Sequence, residues 1–363
     1  HPVSAPGLHI DRTMRRLAWL LFVCLAPAQD PRFGVQSRLV VVPVTVADAK
    51  GRLLDGLEPE DFQVFDNGQS RKTAVDFLAT GVAPIALVVA IQASGISKPV
   101  LEKVRKIGGM IQPLVTGERG CAAILSFSDR LDWLQRCTND DVSIARAFEA
   151  ITPGPPKAGR MLDAATEAVA ELRKRPNSRK VLLLISETRD RGSESTLQQA
   201  ADAVQKEGVI VYAATYSAFG AAWTTKSSAI ADPQMPKAPT KPSDETGTAT
   251  GGPEQCNPFG CPSPKIPGAA QSVDIMGALV ELVRREKVDS TQALTQATGG
   301  VTFPFLRQKG LEDAIEKLGA HLHSQYLLTF MPDAGASGYH RIEVRVNRPN
   351  VQVRSRAVYW AGE

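Results

Sequence analysis

Residues 84–92 read Pro84-Ile85-Ala86-Leu87-Val88-Val89-Ala90-Ile91-Gln92, and Ala93-Ser94-Gly95-Ile96-Ser97 follow. From Ile85 to Ile91 no polar residue interrupts the run, so both faces of the pleat are apolar. Such strands belong to parallel sheets covered by helices on both sides. Val181-Leu182-Leu183-Leu184-Ile185 and the stretch from Val209 to Ala214 repeat the pattern, and Ala122–Phe127 and Trp133–Cys137 read as further strands. Between them lie helical spacings. Pro99 opens one that carries Val100, Val104, Ile107, Ile111 and Leu114; others fall at 141–151, at 162–174 and from Thr196 to Lys206, where Gly208 ends the helix. Strands alternating with helices predict an α/β domain with a doubly wound, mostly parallel sheet over residues 84–323.

The flanks have a different period. Residues 35–80 hold the run Leu39–Val46, a turn at Asp48-Ala49-Lys50-Gly51, and an alternating Asp61-Phe62-Gln63-Val64-Phe65 closed by Asp66-Asn67-Gly68. Asn-Gly between such runs is a hairpin turn, and this segment predicts a small sandwich-like β module. In the tail, 324–361, Ile342, Val344, Val346, Val351, Val353 and Val358 predict a hairpin that completes that module. Residues 219–273 contain nine of the chain's 25 prolines and read as a largely disordered surface insertion. Helices at 274–287 and 290–298, a strand at Val301–Phe305 and a helix carrying Leu311, Ile315, Leu318 and Leu322 resume the α/β pattern.

A chain of 363 residues with 43% hydrophobic and 22% charged residues is ample for a sizeable core. Half of the formal charge of +4 comes from Arg12, Arg15 and Arg16 set against Asp11, so the rest carries only +2. That is no footprint for nucleic acid or anionic lipid. Met14-Arg15-Arg16, the apolar run Leu17–Leu25 and Ala26-Pro27-Ala28 read as a signal peptide, which makes 1–28 an upstream extension plus a leader. The apolar run is too short for a membrane span, so none is expected after cleavage. Without Cys24 an even set remains, Cys121, Cys137, Cys256 and Cys261; in an exported chain this points to disulfides, with three pairings open and zinc as the rival.

The order of these elements resembles the von Willebrand factor A (vWA) fold, and more closely the VWFA-related family known from acidobacterial genomes. The resemblance is carried by residues 56–68 (Gly56-Leu57-Glu58-Pro59-Glu60-Asp61-Phe62 through Asp66-Asn67-Gly68), by Pro84–Val89, and by Ser324-Gln325-Tyr326-Leu327-Leu328 with Val353-Arg354-Ser355-Arg356. It spans about 34–361 apart from the insertion. It implies a metal-ion-dependent adhesion site, in which Mg²⁺ takes hard oxygen ligands from an Asp-x-Ser-x-Ser loop, a Thr and a later Asp.

Here the first loop offers Gln92, Ser94 and Ile96, and a register shifted by two would put Ala90 in the Asp position. The second offers Gly159 and Arg160 with no threonine, and the third has Glu187 where Asp is expected. Ser94 and Glu187 alone are weak metal candidates, so a degenerate site with no metal or other cofactor is expected. In that reading Ser94 caps the following helix and Glu187 pairs with Arg160 or Arg189.

The A-domain pattern also makes Ala122–Phe127 and Leu131–Thr138 antiparallel neighbours. Pairing centred on Asp129 sets Cys121 opposite Cys137, close enough for a disulfide, with two free thiols as the alternative. No G-x-S-x-G elbow, Walker loop or G-x-G-x-x-G follows a strand, and His321-x-His323 reads as two solvated side chains. The expectation is a non-enzymatic, extracytoplasmic module (periplasm, cell surface or secreted) that binds a protein of the envelope or extracellular space. A metal-dependent adhesin with an unorthodox site, or an envelope structural or assembly component, are the alternatives.

Overall fold

The computed structural model describes residues 39–72, 74–76, 83–94, 98–155, 158–216, 289–305, 308–333 and 336–362. The proposed leader, the insertion with Cys256 and Cys261, the helix at 274–287, and Ile96 lie outside them.

Four strands come first: β1 (Val40–Asp48), β2 (Phe62–Asp66), β3 (Gln69–Arg71) and β4 (Ala74–Asp76). The alternating part follows as β5 (Ile85–Gln92), α1 (Lys98–Lys106), α2 (Gly108–Ile111), β6 (Cys121–Phe127), β7 (Leu131–Thr138), α3 (Asp141–Glu149), α4 (Met161–Arg173), β8 (Arg179–Ser186), α5 (Leu197–Lys206) and β9 (Ile210–Thr215). Next come α6 (Ser290–Thr298), β10 (Thr302–Pro304) and α7 (Gln308–His323). The last strands are β11 (Tyr326–Phe330), β12 (Gly338–Val346), β13 (Val351–Ser355) and β14 (Val358–Ala361).

Six strands form the central sheet in the order β10-β9-β8-β5-β6-β7. All neighbours are parallel except β6 and β7. The unbroken apolar run of β5 has its explanation in two cores. Ile85, Leu87, Val89 and Ile91 pack with α1, α3 and α7, whereas Ala86, Val88 and Ala90 pack with α4, α5 and α6. Large residues face the first layer and small ones the second, where Ala164, Ala165, Ala168, Ala200 and Ala201 let the helices approach closely. Local signals set the helix ends. Asp140 accepts from Ser143 N–H, Asp289 from Thr291 and Gln292, and Thr196 with Gln199 forms a capping box.

Two four-stranded antiparallel sheets, β13-β1-β11-β4 and β14-β12-β2-β3, enclose a third core of Val42, Val44, Phe62, Val64, Tyr326, Leu328, Phe330, Ile342 and Tyr359. The β2–β3 turn is Asn67-Gly68, both with positive φ (49° and 82°), as a two-residue hairpin turn requires. One expectation fails here. The tail is not a β12–β13 hairpin, because β12 pairs with β2 and β14 while β13 crosses to β1 in the opposite sheet. Pairing with β2, β14 and β1 closes two sheets over one core, where a free hairpin would leave an apolar face wet.

His321 also departs from expectation. Its ring is only 6% exposed and meets Phe303 edge-on at 5.9 Å, while His323 is exposed. Neighbours two apart on a helix point to different faces, and the face of His321 is the one that carries Leu318 and Leu322 inward.

Chain winding reverses at β5, which has β6 on one side and β8 on the other. Loops leaving the carboxyl ends of these strands therefore diverge and leave a crevice, the place where open α/β sheets hold ligands.

Candidate functional site

Three loops meet in that crevice through backbone hydrogen bonds. Ala93 N–H donates to Phe127 O at 2.8 Å, and Gly154 N–H to Ala93 O at 3.0 Å, which aligns Ser94 with Gly154. Gly159 and Arg191 exchange two bonds, of 2.9 and 3.0 Å, and so bring the second loop onto the third. Gln92, Ser94, Gly159 and Glu187 are gathered at this point.

The buried amide of Gln92 occupies the centre. Its Oε1 accepts from Glu187 N–H at 3.0 Å, which fixes the amide's orientation, since a backbone N–H needs an acceptor. Nε2 then faces Ser94 Oγ at 3.1 Å, Ser94 O at 3.4 Å and Glu187 Oε2 at 3.4 Å. Gly159 leaves the room: a Cβ there would lie 3.2 Å from Gln92 Nε2 and 3.4 Å from Ser94 Oγ. From below, Tyr216 OH donates to Gln92 O at 3.3 Å, and burial raises this phenol's pKa.

The partners of Glu187 and Arg160 differ from expectation. Glu187 pairs with Arg191 at 3.0 Å, neither with Arg160 nor with Arg189. Arg160 donates to Asp163 at 2.7 Å and to Glu194 at 2.9 Å. The Gly159–Arg191 ladder carries Arg191 to Glu187, and Asp163, three residues along α4, captures Arg160 first. Ser94 Oγ is engaged by Gln92, so its hydroxyl serves this network.

Sequence reasoning passed over Asp163, Asp190 and Ser193, which shape the third loop. Asp190 Oδ1 and Ser193 Oγ both accept from Leu162 N–H, at 3.0 and 3.1 Å, and Ser193 Oγ also accepts from Asp163 N–H. They cap α4 from another part of the chain. Asp163 in turn accepts from Ser195 N–H at 2.8 Å and Glu194 N–H at 3.0 Å. Burial pushes its carboxyl upward, but the bonds from Ser195, Glu194 and Arg160 outweigh this and hold it at about 2. The available signal was an aspartate in the first helical turn, where the helix dipole favours negative charge.

Would this set hold a hard cation? The Gln92 amide directs its N–H groups at Ser94 Oγ and Glu187 Oε2, the two oxygens a cation would need. Arg191 already neutralises Glu187. Among the described residues no group of three or more His, Cys, Asp or Glu is placed to hold a metal. These residues do not suit Mg²⁺, which takes six oxygens in near-ideal octahedral geometry.

At the far end of the β6–β7 hairpin, Cys121 and Cys137 form a disulfide with Cα atoms 5.3 Å apart. The simple register that suggested it holds only near the turn, where Phe127, Ser126 and Leu125 face Leu131, Asp132 and Trp133. Two shifts follow, and Ala122 faces Thr138. The cysteines are therefore not directly opposite; the bulges bend the edge strand and the bridge forms across the irregular stretch.

The strand order, with a single antiparallel edge strand and helices on both faces, is that of a vWA-like α/β fold joined to a β-sandwich. No family profile matches the chain, and no curated protein matches it. Among solved structures it is similar to the conserved hypothetical protein BatB from Bacteroides thetaiotaomicron, at 14% identity and a TM-score of 0.38, over 65% of this chain and 99% of that one. An aerotolerance-related membrane protein from Bacteroides fragilis gives 15% identity and a TM-score of 0.38, over 65% and 98%. Proximal thread matrix protein 1 from the mussel byssus, with a zinc-occupied MIDAS motif, gives 14% and 0.42; there the match covers 71% of this chain and about half (49%) of that one. Among the described residues no helix is long and apolar enough to cross a membrane.

Proposed function

We propose that the protein is an exported, non-enzymatic protein-binding module of the vWA type, whose adhesion site is degenerate and works without metal. The observation that supports this reading is the Gln92 amide, which links Ser94 to Glu187 by hydrogen bonds in the place the fold reserves for a cation. A rigid, metal-free rim built from the loops around Gly159, Glu187 and Arg191 then meets the partner. The Cys121–Cys137 disulfide fits an oxidising compartment outside the cytoplasm.

Proximity labelling in the native organism, with the tag on this chain, tests the reading. The expected result is one or a few envelope or extracellular proteins, captured equally in EDTA and in millimolar Mg²⁺. Capture should fall at least tenfold with Arg191→Glu, a rim residue whose side chain is 47% exposed. Capture that needs Mg²⁺, or that ignores the rim, would remove the basis of the proposal.

A further inference from the structure

The closing motif Val353-Arg354-Ser355-Arg356 has no role in the crevice, and its arginines are half-buried and bonded inward. Arg354 Nη1 donates to Gly300 O at 3.0 Å, just beyond α6. Arg356 Nη2 donates to Gln205 O at 3.1 Å and to Gln205 Oε1 at 3.0 Å, in the last turn of α5. Gln205 continues the chain of contacts by donating to Ala297 O, in the last turn of α6. A third arginine, the buried Arg179 at the start of β8, donates to Leu322 O in the last turn of α7 at 2.8 Å. It also reaches Gln325 Oε1, and Gln325 Nε2 donates to Tyr212 OH at 3.1 Å.

None of these three guanidinium groups has a carboxylate partner among the described residues. Each instead donates to a carbonyl in or just beyond the last turn of a helix, at the negative end of the helix dipole. Burying a cation there is less costly than in an apolar site. A glycine makes the approach possible: Gly299 has φ +79°, and a Cβ on it would lie 2.7 Å from Ser355 C and 2.8 Å from Arg356 N. Around this centre Tyr339 OH donates to Asp202 at 2.6 Å, and Lys206 sits 4.9 Å over the Trp360 ring.

We propose that Val353-Arg354-Ser355-Arg356 is an internal clasp that joins the sandwich and the α/β layers into one cooperative folding unit, by gripping the C-terminal ends of α5 and α6. The clasp also ties together the two stretches that flank residues 217–288, since α5 and β9 precede that segment and α6 and β10 follow it.

Tryptophan provides a probe in each part, Trp133 in β7 and Trp360 in β14. The test is urea unfolding of the full chain with Trp19 and Trp223 replaced by phenylalanine, keeping one probe or the other. In the parent chain the two transitions should coincide. In Arg354→Met/Arg356→Met they should separate by about 1 M urea. Gly299→Ala should separate them as well, because the added methyl would press on the backbone of Ser355 and Arg356 while both guanidinium groups stay in place. If the double variant does not fold, Gly299→Ala and the single lysine variants of Arg354 and Arg356 carry the test. Transitions that already differ in the parent chain, or that still coincide in every folded variant, would overturn the proposal.

Discussion

Gln92 and Glu187, 95 positions apart, form a two-way clamp: the Gln92 amide accepts from the backbone N–H of Glu187 at 3.0 Å and faces its carboxylate at 3.4 Å. An amide can do both at once. A carboxylate can only accept, and a cation can only be bound by the oxygens. The amide at the end of β5 thus ties the first loop to the third.

The melting temperature of the unaltered protein should agree within about a degree in EDTA and in millimolar Mg²⁺. Gln92→Glu, which keeps the shape but sets a second carboxylate against Glu187, should melt several degrees lower in EDTA and recover part of the loss with Mg²⁺. A shift of several degrees in the unaltered protein would show that the amide is not what holds the loops.

Asp163 sets a limit at low pH. Its folded carboxyl lies at about 2, below the ordinary value of 3.8, so it contributes stability that is present above pH 3.8 and is lost as pH falls toward 2. The difference is worth on the order of 2 kcal/mol. Asp163→Asn should flatten the pH dependence of unfolding between pH 4 and 2. It should also loosen residues 193–195, read as faster amide exchange there. An unchanged acid limb would mean that Asp163 is not the group responsible.

His321 acts at a higher pH. Burial first, then Arg354 and Lys317, lower its pKa from 6.5 to about 4. The neutral ring is the native form, so its stability is fully present above pH 6.5 and is lost as pH falls from there toward 4. The loss should approach roughly 3 kcal/mol. Denaturation midpoints at pH 7.5 and 4.5 measure it, and His321→Leu should remove most of the difference. NMR titration of the ring with a pKa near 6.5 would contradict the expectation outright.

Peptide mapping without reductant should recover Cys121 joined to Cys137. Replacing both by serine should cost about 3 kcal/mol, the loop-entropy value for a bridge closing roughly 15 residues. The loss should appear mainly as faster unfolding of the β6–β7 edge. A double variant as stable as the parent would show that the paired strands, with Trp133 Nε1 bonded to Glu167 at 2.9 Å, already hold that edge without help.

The loops that would meet a partner depend on one more close approach. A Cβ at Gly154 would fall 2.5 Å from the Ser128 side chain. Gly154→Ala should therefore lower stability by about 1–3 kcal/mol and disturb the loop that carries Ser128-Asp129-Arg130. A neutral effect on stability, measured by urea unfolding, would mean that the loop shifts freely and that the rim is less rigid than proposed.

What the sequence determined by itself follows from period and local chemistry. The apolar run Ile85–Ile91 specified a strand buried on both faces, the alternation of such runs with helical spacings specified the doubly wound sheet, and Asn67-Gly68 specified its hairpin. That Gln92 carries an amide and Gly159 no side chain is also given by the sequence, because residue type alone sets which atoms can donate or accept. Tertiary structure decided everything that depends on a competing partner. Arg191 reached Glu187 because a two-residue ladder with Gly159 placed it there, and Arg160 was taken by Asp163. β13 pairs with β1 in the opposite sheet and not with β12, and the β6–β7 bulges shift the register counted from the turn. The choice is made by distant segments that no local window of sequence contains.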